Sequence, residues 1–399
     1  MKNRVAQRMS TLSPSLTLAI SAKAKAMKQA GENVVSFGVG EPDFNTPEHI
    51  IAAAKAALDA GHTKYTPSSG LLPLRKAICE KFQKDNGLDY EPSQIIVSNG
   101  AKHSIFNACY AILDEGDEVI IPEPYWLTYP EVVKVCGAVP KYLTCKKENK
   151  YKFSAEELKA AITPKTKMLI FNSPSNPTGA VYNEEEVRAI AKVCEEAEIF
   201  VLADEIYEKL CYNGVKPFSI AKVSDKMTDL TITVNGVSKT YAMTGWRVGY
   251  LAAPKDIAKA IDSFQSHATS NACSISQYAT IEALKAPEAE IQAMVEVFDK
   301  RRAKLLGLIA EIDGVQAVEP DGAFYVMLVV GGLYGKSYQG KALTNSIEFA
   351  DALLDAEKVA TVPGVSFGAD DCLRLSYSLS EEDIETGLAR IKKFVSELQ

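Results

Sequence analysis

The 399-residue sequence lacks the features that mark several classes of protein. No apolar run approaches the roughly 20 residues that a membrane-spanning helix requires. The N-terminus is charged but is not followed by an apolar segment, so we expect no secretion signal. The net charge of -7 argues against a surface for nucleic acid or anionic membranes, and we expect neither as a partner.

Cysteine and histidine are scarce and scattered. The eight cysteines form no Cys-x-x-Cys pair, and the four histidines are dispersed along the chain. This pattern indicates neither a disulfide framework nor a zinc site. Because scattered thiols are typical of a reducing compartment, we expect a cytoplasmic protein with no bound metal.

Length and composition indicate a globular protein of two domains. A chain of 399 residues is long for one hydrophobic core, and 47% hydrophobic with 24% charged residues is ordinary for such proteins. Residues 46–290 alternate helical periodicity with short apolar strands, which predicts a large α/β domain with a mostly parallel sheet flanked by helices. Residues 1–45 and 291–399 are predicted to form a smaller α+β domain.

Periodicity predicts individual elements in both regions. In the large domain the predicted helices are 47–60, 72–86, 101–113, 184–196 and 255–265, and the predicted strands are 94–98, 118–121, 168–172, 200–203, 231–234 and 248–252. A long helix over 288–312 is followed by predicted strands 323–330 and 372–377 and helices 346–357 and 381–398. Ligands of parallel sheets lie outside the carboxyl ends of the strands, so we expect the functional residues there.

A lysine and an arginine stand just beyond the apolar strand 230–234. Lys239 follows in Val-Ser-Lys, and Arg247 comes eight residues later in Thr-Gly-Trp-Arg-Val-Gly. An amine at a strand end can form a Schiff base with an aldehyde, and a guanidinium can hold a phosphate through two hydrogen bonds. Together they suit a cofactor that carries both groups, which is pyridoxal phosphate. By themselves, the two residues are more simply explained as an ordinary surface lysine and arginine.

Two further strand ends offer groups for the ring of such a cofactor. Asp204 closes the strand 200–203, and a carboxylate there would keep a pyridine nitrogen protonated, so that the ring draws electrons from the substrate's α-carbon. Tyr207 and Asn176, the latter in a rigid loop with two prolines, could bond the ring hydroxyl. A helix N-cap and a plain turn would explain Asp204 and the loop as well.

Two more motifs fit a phosphate and a planar ring. Gly100 stands where a strand becomes a helix, and a small residue there lets backbone N–H groups approach a phosphate. Trp126, one of two tryptophans, could stack on the ring. A tight turn and a core tryptophan are the simpler explanations of each alone.

Taken in order, these residues resemble the class I/II aminotransferases, which are pyridoxal-phosphate-dependent enzymes of fold type I. The match runs from about residue 14 to about residue 390. Its strongest motifs are Asn176-Pro177-Thr178-Gly179, Asp204-Glu205-Ile206-Tyr207, Ser238-Lys239 with Arg247, and Leu373-Arg374-Leu375-Ser376-Tyr377.

The resemblance implies a catalytic set of Lys239, Asp204 and Tyr207. Lys239 would form the Schiff base with the cofactor and later move the substrate's α-proton. The implied cofactor contacts are Asp204 at the ring nitrogen, Tyr207 and Asn176 at the ring hydroxyl, Trp126 on the ring face, and Gly100, Ala101, Lys102, Ser238 and Arg247 around the phosphate. Tyr65 would reach the phosphate of the partner subunit, which implies a homodimer with shared active sites.

The resemblance also implies how the amino-acid substrate is held. Arg374 would grip its α-carboxylate in a two-pronged pair. Further contacts would come from the backbone of Gly40 and from Trp126 and Asn176. The chain departs from the animal-type enzymes, because segment 266–271 has no arginine for a second substrate carboxylate and Gly236 replaces a phosphate-binding serine.

The pattern is instead similar to bacterial subgroup Ib of the aminotransferases. In that subgroup a lysine of the phosphate-binding loop, rather than an arginine, binds the second carboxylate of the substrate. Lys102 occupies this position, with Ser15 and Thr17 lining the same end. A cation left unpaired with neutral substrates favours aspartate and glutamate. The implied reaction is a ping-pong transfer of the amino group of aspartate to 2-oxoglutarate. Alternatives are a prephenate, aromatic or kynurenine aminotransferase, a carbon–sulfur lyase, and a non-enzymatic cofactor-binding regulator.

Overall fold

The computed structural model describes residues 4–13 and 16–399, so Ser15 lies outside the described residues. The strands are β1 (Val35–Ser36), β2 (Ile95–Ser98), β3 (Glu118–Glu123), β4 (Val139–Thr144), β5 (Thr166–Asn172), β6 (Phe200–Asp204), β7 (Thr231–Gly236), β8 (Gly249–Ala252), β9 (Gln316–Ala317), β10 (Tyr325–Val329), β11 (Ser337–Tyr338), β12 (Lys341–Ala342), β13 (Val359–Ala360), β14 (Val362–Pro363) and β15 (Cys372–Ser376). The α-helices are α1 (Leu16–Gln29), α2 (Glu48–Asp59), α3 (Leu72–Lys81), α4 (Ala101–Ile112), α5 (Thr128–Val135), α6 (Ala155–Ala161), α7 (Glu184–Ala197), α8 (Asp225–Leu230), α9 (Lys255–Ala268), α10 (Ser274–Ala283), α11 (Glu288–Ile309), α12 (Ser346–Glu357) and α13 (Glu381–Ser396).

A seven-stranded sheet organises the region between residues 95 and 252. Its strand order is β2-β8-β7-β6-β5-β3-β4, and neighbours are parallel except that β8 is antiparallel to both β2 and β7. The connection from β7 to β8 contains only a short 3-10 helix (Thr244–Trp246), and without a long crossover helix β8 runs opposite to β7. The predicted mostly parallel α/β sheet is therefore confirmed.

The reversed direction of β8 brings three loops together. Gly249, its first residue, pairs with Gly236 at the end of β7 and with Ser98 at the end of β2. Arg247, two residues before Gly249, therefore lies beside the start of α4 at Ala101. The loops that follow β2 and β7 are neighbours at the carboxyl edge, where the functional residues were expected.

Helices cover both faces of the sheet, so its central strands are buried. Side chains of a strand alternate between the faces. In β2, Ile96 packs with apolar residues of α4 and α9, whereas Ile95 and Val97 pack with those of α3 and α10. Because both faces are buried, β2 and β6 are apolar along most of their length, and even the threonines of β7 have no exposed surface.

A second sheet follows in the C-terminal part of the chain. It has four antiparallel strands in the order β14-β15-β10-β9, and α11, α12 and α13 contribute to the same core. Strand β1 pairs in parallel with β13, so the N-terminal segment joins the C-terminal one. The domain boundaries near residues 45 and 290 stay a prediction.

The structure contains elements that periodicity did not predict. Strand β4 lies at the edge of the large sheet, where its mostly exposed side chains and Pro140 give no apolar run. Helices α1, α5, α6, α8 and α10 were also missed. The helix predicted over 72–86 is α-helical only to Lys81 and continues as a π-helical turn over Phe82–Asn86.

Gly249 is expected to be essential for the packing of β8 against the start of α4. A Cβ atom at Gly249 would overlap the backbone of Gly100 and Ala101, whereas one at Gly245 would meet nothing within 4 Å. We expect Gly249→Ala to lower the free energy of unfolding by about 1–3 kcal/mol, because backbone atoms cannot move aside as a flexible side chain can. Denaturant unfolding would measure the change, with Gly245→Ala as the matched control. Equal stability of the two variants would contradict this packing.

Candidate active site

A cavity of about 570 Å³ opens at the carboxyl edge of the large sheet. Its lining comes from the loops that follow β2, β3, β5, β6 and β7, with further residues from β10 and β15. The predicted site residues that line it are Thr17, Gly40, Ala101, Lys102, Trp126, Asn176, Asp204, Tyr207, Ser238, Lys239, Arg247 and Arg374. Gly100 lies just behind Ala101, and Tyr65 stands outside the cavity with 90% of its surface exposed.

Lys239 presents a buried amine to this cavity. Its Nζ donates a hydrogen bond to the carbonyl oxygen of Gly40 at 2.5 Å, and no carboxylate of the described residues forms an ion pair with it. Burial lowers the pKa of the amine to about 8, against the opposing effect of Glu41. A neutral, nucleophilic fraction is therefore present near neutral pH, as attack on an aldehyde requires.

Asp204 is a buried acid whose hydrogen bonds come from uncharged groups. The hydroxyl of Tyr129 donates to its Oδ2 at 2.8 Å, and the backbone N–H of Ile206 donates to Oδ1 at 3.2 Å. Burial raises the pKa of Asp204 to about 6, and these hydrogen bonds act in the opposite direction. A cationic ring nitrogen beside this carboxylate would supply the missing opposite charge.

Tyr207 and Asn176 each form a hydrogen bond with another side chain of the cavity wall. The hydroxyls of Tyr207 and Tyr325 are hydrogen-bonded at 2.9 Å. The Oδ1 of Asn176 accepts from Arg374 at 3.0 Å, and no group in the described part of the chain accepts from its Nδ2. That Nδ2 is therefore left to donate to a ligand.

Arg374 is buried, with 2% of its surface exposed, and carries an unpaired charge. Its Nη1 donates to Asn176 and its Nη2 to the carbonyl of Gly38 at 3.2 Å, whereas its Nε has no partner. The guanidinium stacks over the ring of Tyr325 at 4.4 Å, and no Asp or Glu within residues 4–13 and 16–399 pairs with it. A buried cation without a counter-ion is a site for an anionic ligand.

The start of α4 is arranged to receive an anion such as a phosphate. Gly100 has a φ of 88°, and a Cβ there would come within 2.5 Å of Nη2 of Arg247. The same guanidinium is oriented by the carbonyls of Thr244, at 2.9 Å, and Asn99, at 3.4 Å. Backbone N–H groups at a helix start and a bidentate cation together form an anion site.

The remaining predicted contacts lie at one side of the cavity. The Nζ of Lys102 is 4.9 Å from the centre of the Trp126 ring, and it forms no ion pair within the described residues. The hydroxyl of Thr17 is buried and lacks a hydrogen-bond partner. Two unsatisfied polar groups, one of them cationic, therefore face the same space.

Three residues of the site were not found by sequence reasoning. Tyr129 was missed because α5 is short and was not predicted, and Tyr325 because a tyrosine inside an apolar strand suggests only core packing. Glu41 was missed because only the backbone of its neighbour Gly40 was expected to contribute, although Oε2 of Glu41 accepts a hydrogen bond from Thr244 at 2.6 Å.

Residues 32–391 match the family model described as aminotransferase class I and II. The chain belongs to this aminotransferase family. It is 50% identical to aspartate aminotransferase of Bacillus subtilis (strain 168), with 98% of this chain and 99% of the relative covered. It is 46% identical to a probable aspartate/prephenate aminotransferase of Aquifex aeolicus (strain VF5), with both chains covered completely.

A solved structure shares the fold over almost the whole chain. Aspartate aminotransferase from Thermus thermophilus with maleate superposes with a TM-score of 0.93 at 40% identity, covering 99% of this chain and 100% of the other. The aminotransferase therefore has the predicted fold of type I, and its family uses pyridoxal 5'-phosphate with amino-acid and keto-acid substrates. Among the described helices, none is both long and apolar enough to cross a membrane.

The cavity residues of the aminotransferase fit this cofactor. A buried amine at Lys239, an acid without a cation at Asp204, and the anion site at Gly100 and Arg247 match its aldehyde, ring nitrogen and phosphate. No group of three or more metal-binding side chains competes with this arrangement in the described chain.

Burial of the Lys239 amine should make the cofactor-free protein less stable than a variant without it. We expect Lys239→Met to raise the free energy of unfolding at pH 7 by roughly 3 kcal/mol, because the folded protein disfavours the charged amine. The folded-state pKa of about 8 lies below the ordinary value of 10.5, so the unfolded chain binds more protons between these values. The parent's stability therefore rises with pH in that window, and the difference should shrink.

Denaturant unfolding of the cofactor-free proteins at pH 7, 8, 9 and 10 would test this. Lys259→Met, which removes an exposed lysine of α9, is the matched control and should show no such dependence. A Lys239→Met difference that stays constant across these pH values would contradict the lowered pKa.

Proposed function

We propose that this aminotransferase transfers the amino group of L-aspartate to 2-oxoglutarate, which yields oxaloacetate and L-glutamate. The observation that carries the proposal is the presence in one cavity of two cations, Arg374 and Lys102, that lack carboxylate partners in the described structure. An amino acid with two carboxylates would neutralise both cations. The names of the relatives, which cover nearly the whole chain at 46–50% identity, support the same substrate.

Lys239 would act as the acid and base of the reaction. When bound, pyridoxal phosphate supplies the aldehyde that receives the amino group and a ring that draws electrons from the substrate's α-carbon. The freed Nζ of Lys239 would take the proton from that carbon and deliver it to the carbon of the former aldehyde group, and the second half-reaction would require the same transfer in the opposite direction. Because its pKa is lowered to about 8, the amine can alternate between its two protonation states near neutral pH.

The remaining roles follow from the hydrogen bonds in the cavity wall. Asp204, oriented by Tyr129, would hold the ring nitrogen in its protonated form. The Nδ2 of Asn176 and the hydroxyl of Tyr207 would bond the ring hydroxyl. Arg374, held by Asn176 and stacked on Tyr325, would bind the α-carboxylate and so orient the α-carbon.

Tyr65 supports the proposal of a homodimer. It is 90% exposed in the single chain and does not line the cavity, so it cannot contribute to its own site. A second subunit placed over this surface would receive the tyrosine near its phosphate. We also propose a cytoplasmic location, which the eight free cysteines support.

Prephenate is a second candidate substrate, as a keto acid that accepts the amino group. It also carries two carboxylates, and the Aquifex relative has both substrates in its name. The two cations alone do not separate the two dicarboxylates, because each substrate presents one carboxylate to each cation.

A panel of donors and acceptors with the purified protein tests the function. We expect turnover of aspartate with 2-oxoglutarate, ping-pong kinetics, and a visible absorption band from the bound cofactor. Lys239→Ala should lose the band and lower turnover by at least about 10⁴-fold, because it removes both the covalent attachment and the proton carrier. Turnover of aspartate with prephenate far above that with 2-oxoglutarate would favour the second candidate. Release of pyruvate from cystathionine without amino-group transfer would overturn both.

Lys102 should determine the preference for dicarboxylates. We expect Lys102→Ala to lower kcat/KM for aspartate by roughly 10–100-fold, since a charge-assisted hydrogen bond is lost. The value for alanine should change less than about threefold, because that substrate has no second carboxylate. Equal losses for both substrates would show that Lys102 acts on the cofactor or the fold instead.

A further inference from the structure

The loop that carries Tyr65 is fixed from beneath although the tyrosine itself is exposed. This segment, residues 62–70 between α2 and α3, is called the tyrosine loop here. On one side of Tyr65, the carbonyl of Lys64 accepts from the hydroxyl of Ser274 at 2.7 Å. On the other side, the hydroxyl of Thr66 accepts from Nε2 of Gln277 at 3.0 Å. The loop is therefore held on both sides of an exposed phenol, through the backbone of Lys64 and the side chain of Thr66.

A second buried amide joins the tyrosine loop to the large sheet. Gln265, in α9, has no exposed surface. Its Nε2 donates to the carbonyls of Ser68, at 2.7 Å, and Val97, at 2.9 Å. Its Oε1 accepts from the hydroxyl of Ser98 at 2.7 Å and from Nδ2 of Asn107 at 2.9 Å. Both N–H groups and both lone pairs of the side-chain amide are thus used.

These four bonds connect two loops with separate roles. Ser98 is the last residue of β2 and leads directly to Gly100 and Ala101, where the cofactor phosphate is proposed to bind. Ser68 belongs to the tyrosine loop. One amide therefore joins the phosphate site of a subunit to the loop whose tyrosine the same subunit would offer to its partner, beside a backbone hydrogen bond from the N–H of Val97 to the carbonyl of Ser69 at 3.0 Å.

We propose that Gln265 is a positioning residue for cofactor binding across the dimer, and this inference rests on the dimer and the Tyr65 contact of the proposed function. Gln265 holds the tyrosine loop at a fixed distance from the phosphate loop of its own chain, which comprises residues 98–101. The phenol of Tyr65 then arrives at the partner's phosphate within hydrogen-bond distance. Its loss leaves the loop attached through other contacts but free to shift, and a displacement of 1 Å is enough to lose a directional hydrogen bond.

Gln277 provides a matched comparison within the same chain. It is also a fully buried glutamine, and its amide bonds Thr66, the carbonyl of Ala272 at 2.9 Å and the N–H of Leu71 at 2.8 Å. None of these partners belongs to the phosphate loop. Gln277 therefore holds the tyrosine loop alone, whereas Gln265 holds both loops.

The test is the dissociation constant of pyridoxal phosphate, measured by absorbance titration of the cofactor-free dimer. Gln265→Met, Gln277→Met and Tyr65→Phe are each measured alone, and each glutamine variant is measured again together with Tyr65→Phe. We expect Gln265→Met to weaken binding about 30-fold when Tyr65 is present and about fivefold or less beside Tyr65→Phe. The effect of Gln277→Met should disappear almost entirely beside Tyr65→Phe.

This comparison separates positioning from a general structural role. A purely structural effect of Gln265 would weaken binding by the same factor with and without Tyr65, and that result would overturn the proposal. Sedimentation and thermal unfolding of each cofactor-free variant identify losses caused by dissociation or misfolding. If Gln265→Met does not fold, Gln265→Asn replaces it, because the shorter amide cannot reach both loops, and the same criterion applies.

The outcome also distinguishes failure of this inference from failure of the proposed function. A parent protein that does not bind pyridoxal phosphate would refute the proposed function itself. If the parent binds it but Tyr65→Phe has no effect, the function stands and the positioning role of Gln265 is overturned. The proposal is supported if the loss of cofactor affinity caused by Gln277→Met disappears beside Tyr65→Phe and the loss caused by Gln265→Met becomes smaller.

Discussion

Lys239 and Arg374 share one cavity, and neither cation has a carboxylate partner in the described structure. Removing a charge from water without pairing it costs several kcal/mol, which the rest of the fold must offset. For Lys239 the cost appears as a lowered pKa, and therefore as a reactive amine. For Arg374 the same cost means that binding of an anion is favourable, because the anion would pair with the buried guanidinium. The same missing counter-ions thus reduce the stability of the free protein and provide the interactions that a substrate and cofactor would complete.

The direction of strand β8 decides where these charges lie. If β8 were parallel, its first residue would lie at the far edge of the sheet, and Arg247 would be about the length of a strand away from α4. The short connection from β7 instead carries Lys239 and Arg247 in one loop, and Gly249 lies against the backbone of Gly100 and Ala101. The reactive amine and the phosphate site are therefore linked through a backbone contact that tolerates no side chain.

Sequence reasoning predicted those parts of the site that end an apolar strand. Asp204 and Lys239 were found because a polar side chain after β6 or β7 interrupts an otherwise apolar run, and motif resemblance added Arg374. The groups that orient them were not found. Tyr129 lies in a short helix without clear periodicity, and Tyr325 is indistinguishable from a core residue in a buried strand. Gln265 was the last residue of a predicted helix, where a polar side chain suggests solvent, yet it is fully buried. Long-range hydrogen bonds leave no periodic trace in a sequence.

Besides the ion pair between Arg301 and Asp43, neutral amides hold the loops around this cavity. Asn176 orients Arg374, Gln265 joins Ser98 to the tyrosine loop, and Gln277 anchors that loop again. An amide offers two donors and two acceptors in fixed directions and adds no net charge. Additional carboxylates here would pair with Lys239, Arg247 or Arg374 and remove the unpaired charge on which ligand binding depends. Positioning by amides therefore lets the chain fix its loops rigidly while the cations remain available to a ligand.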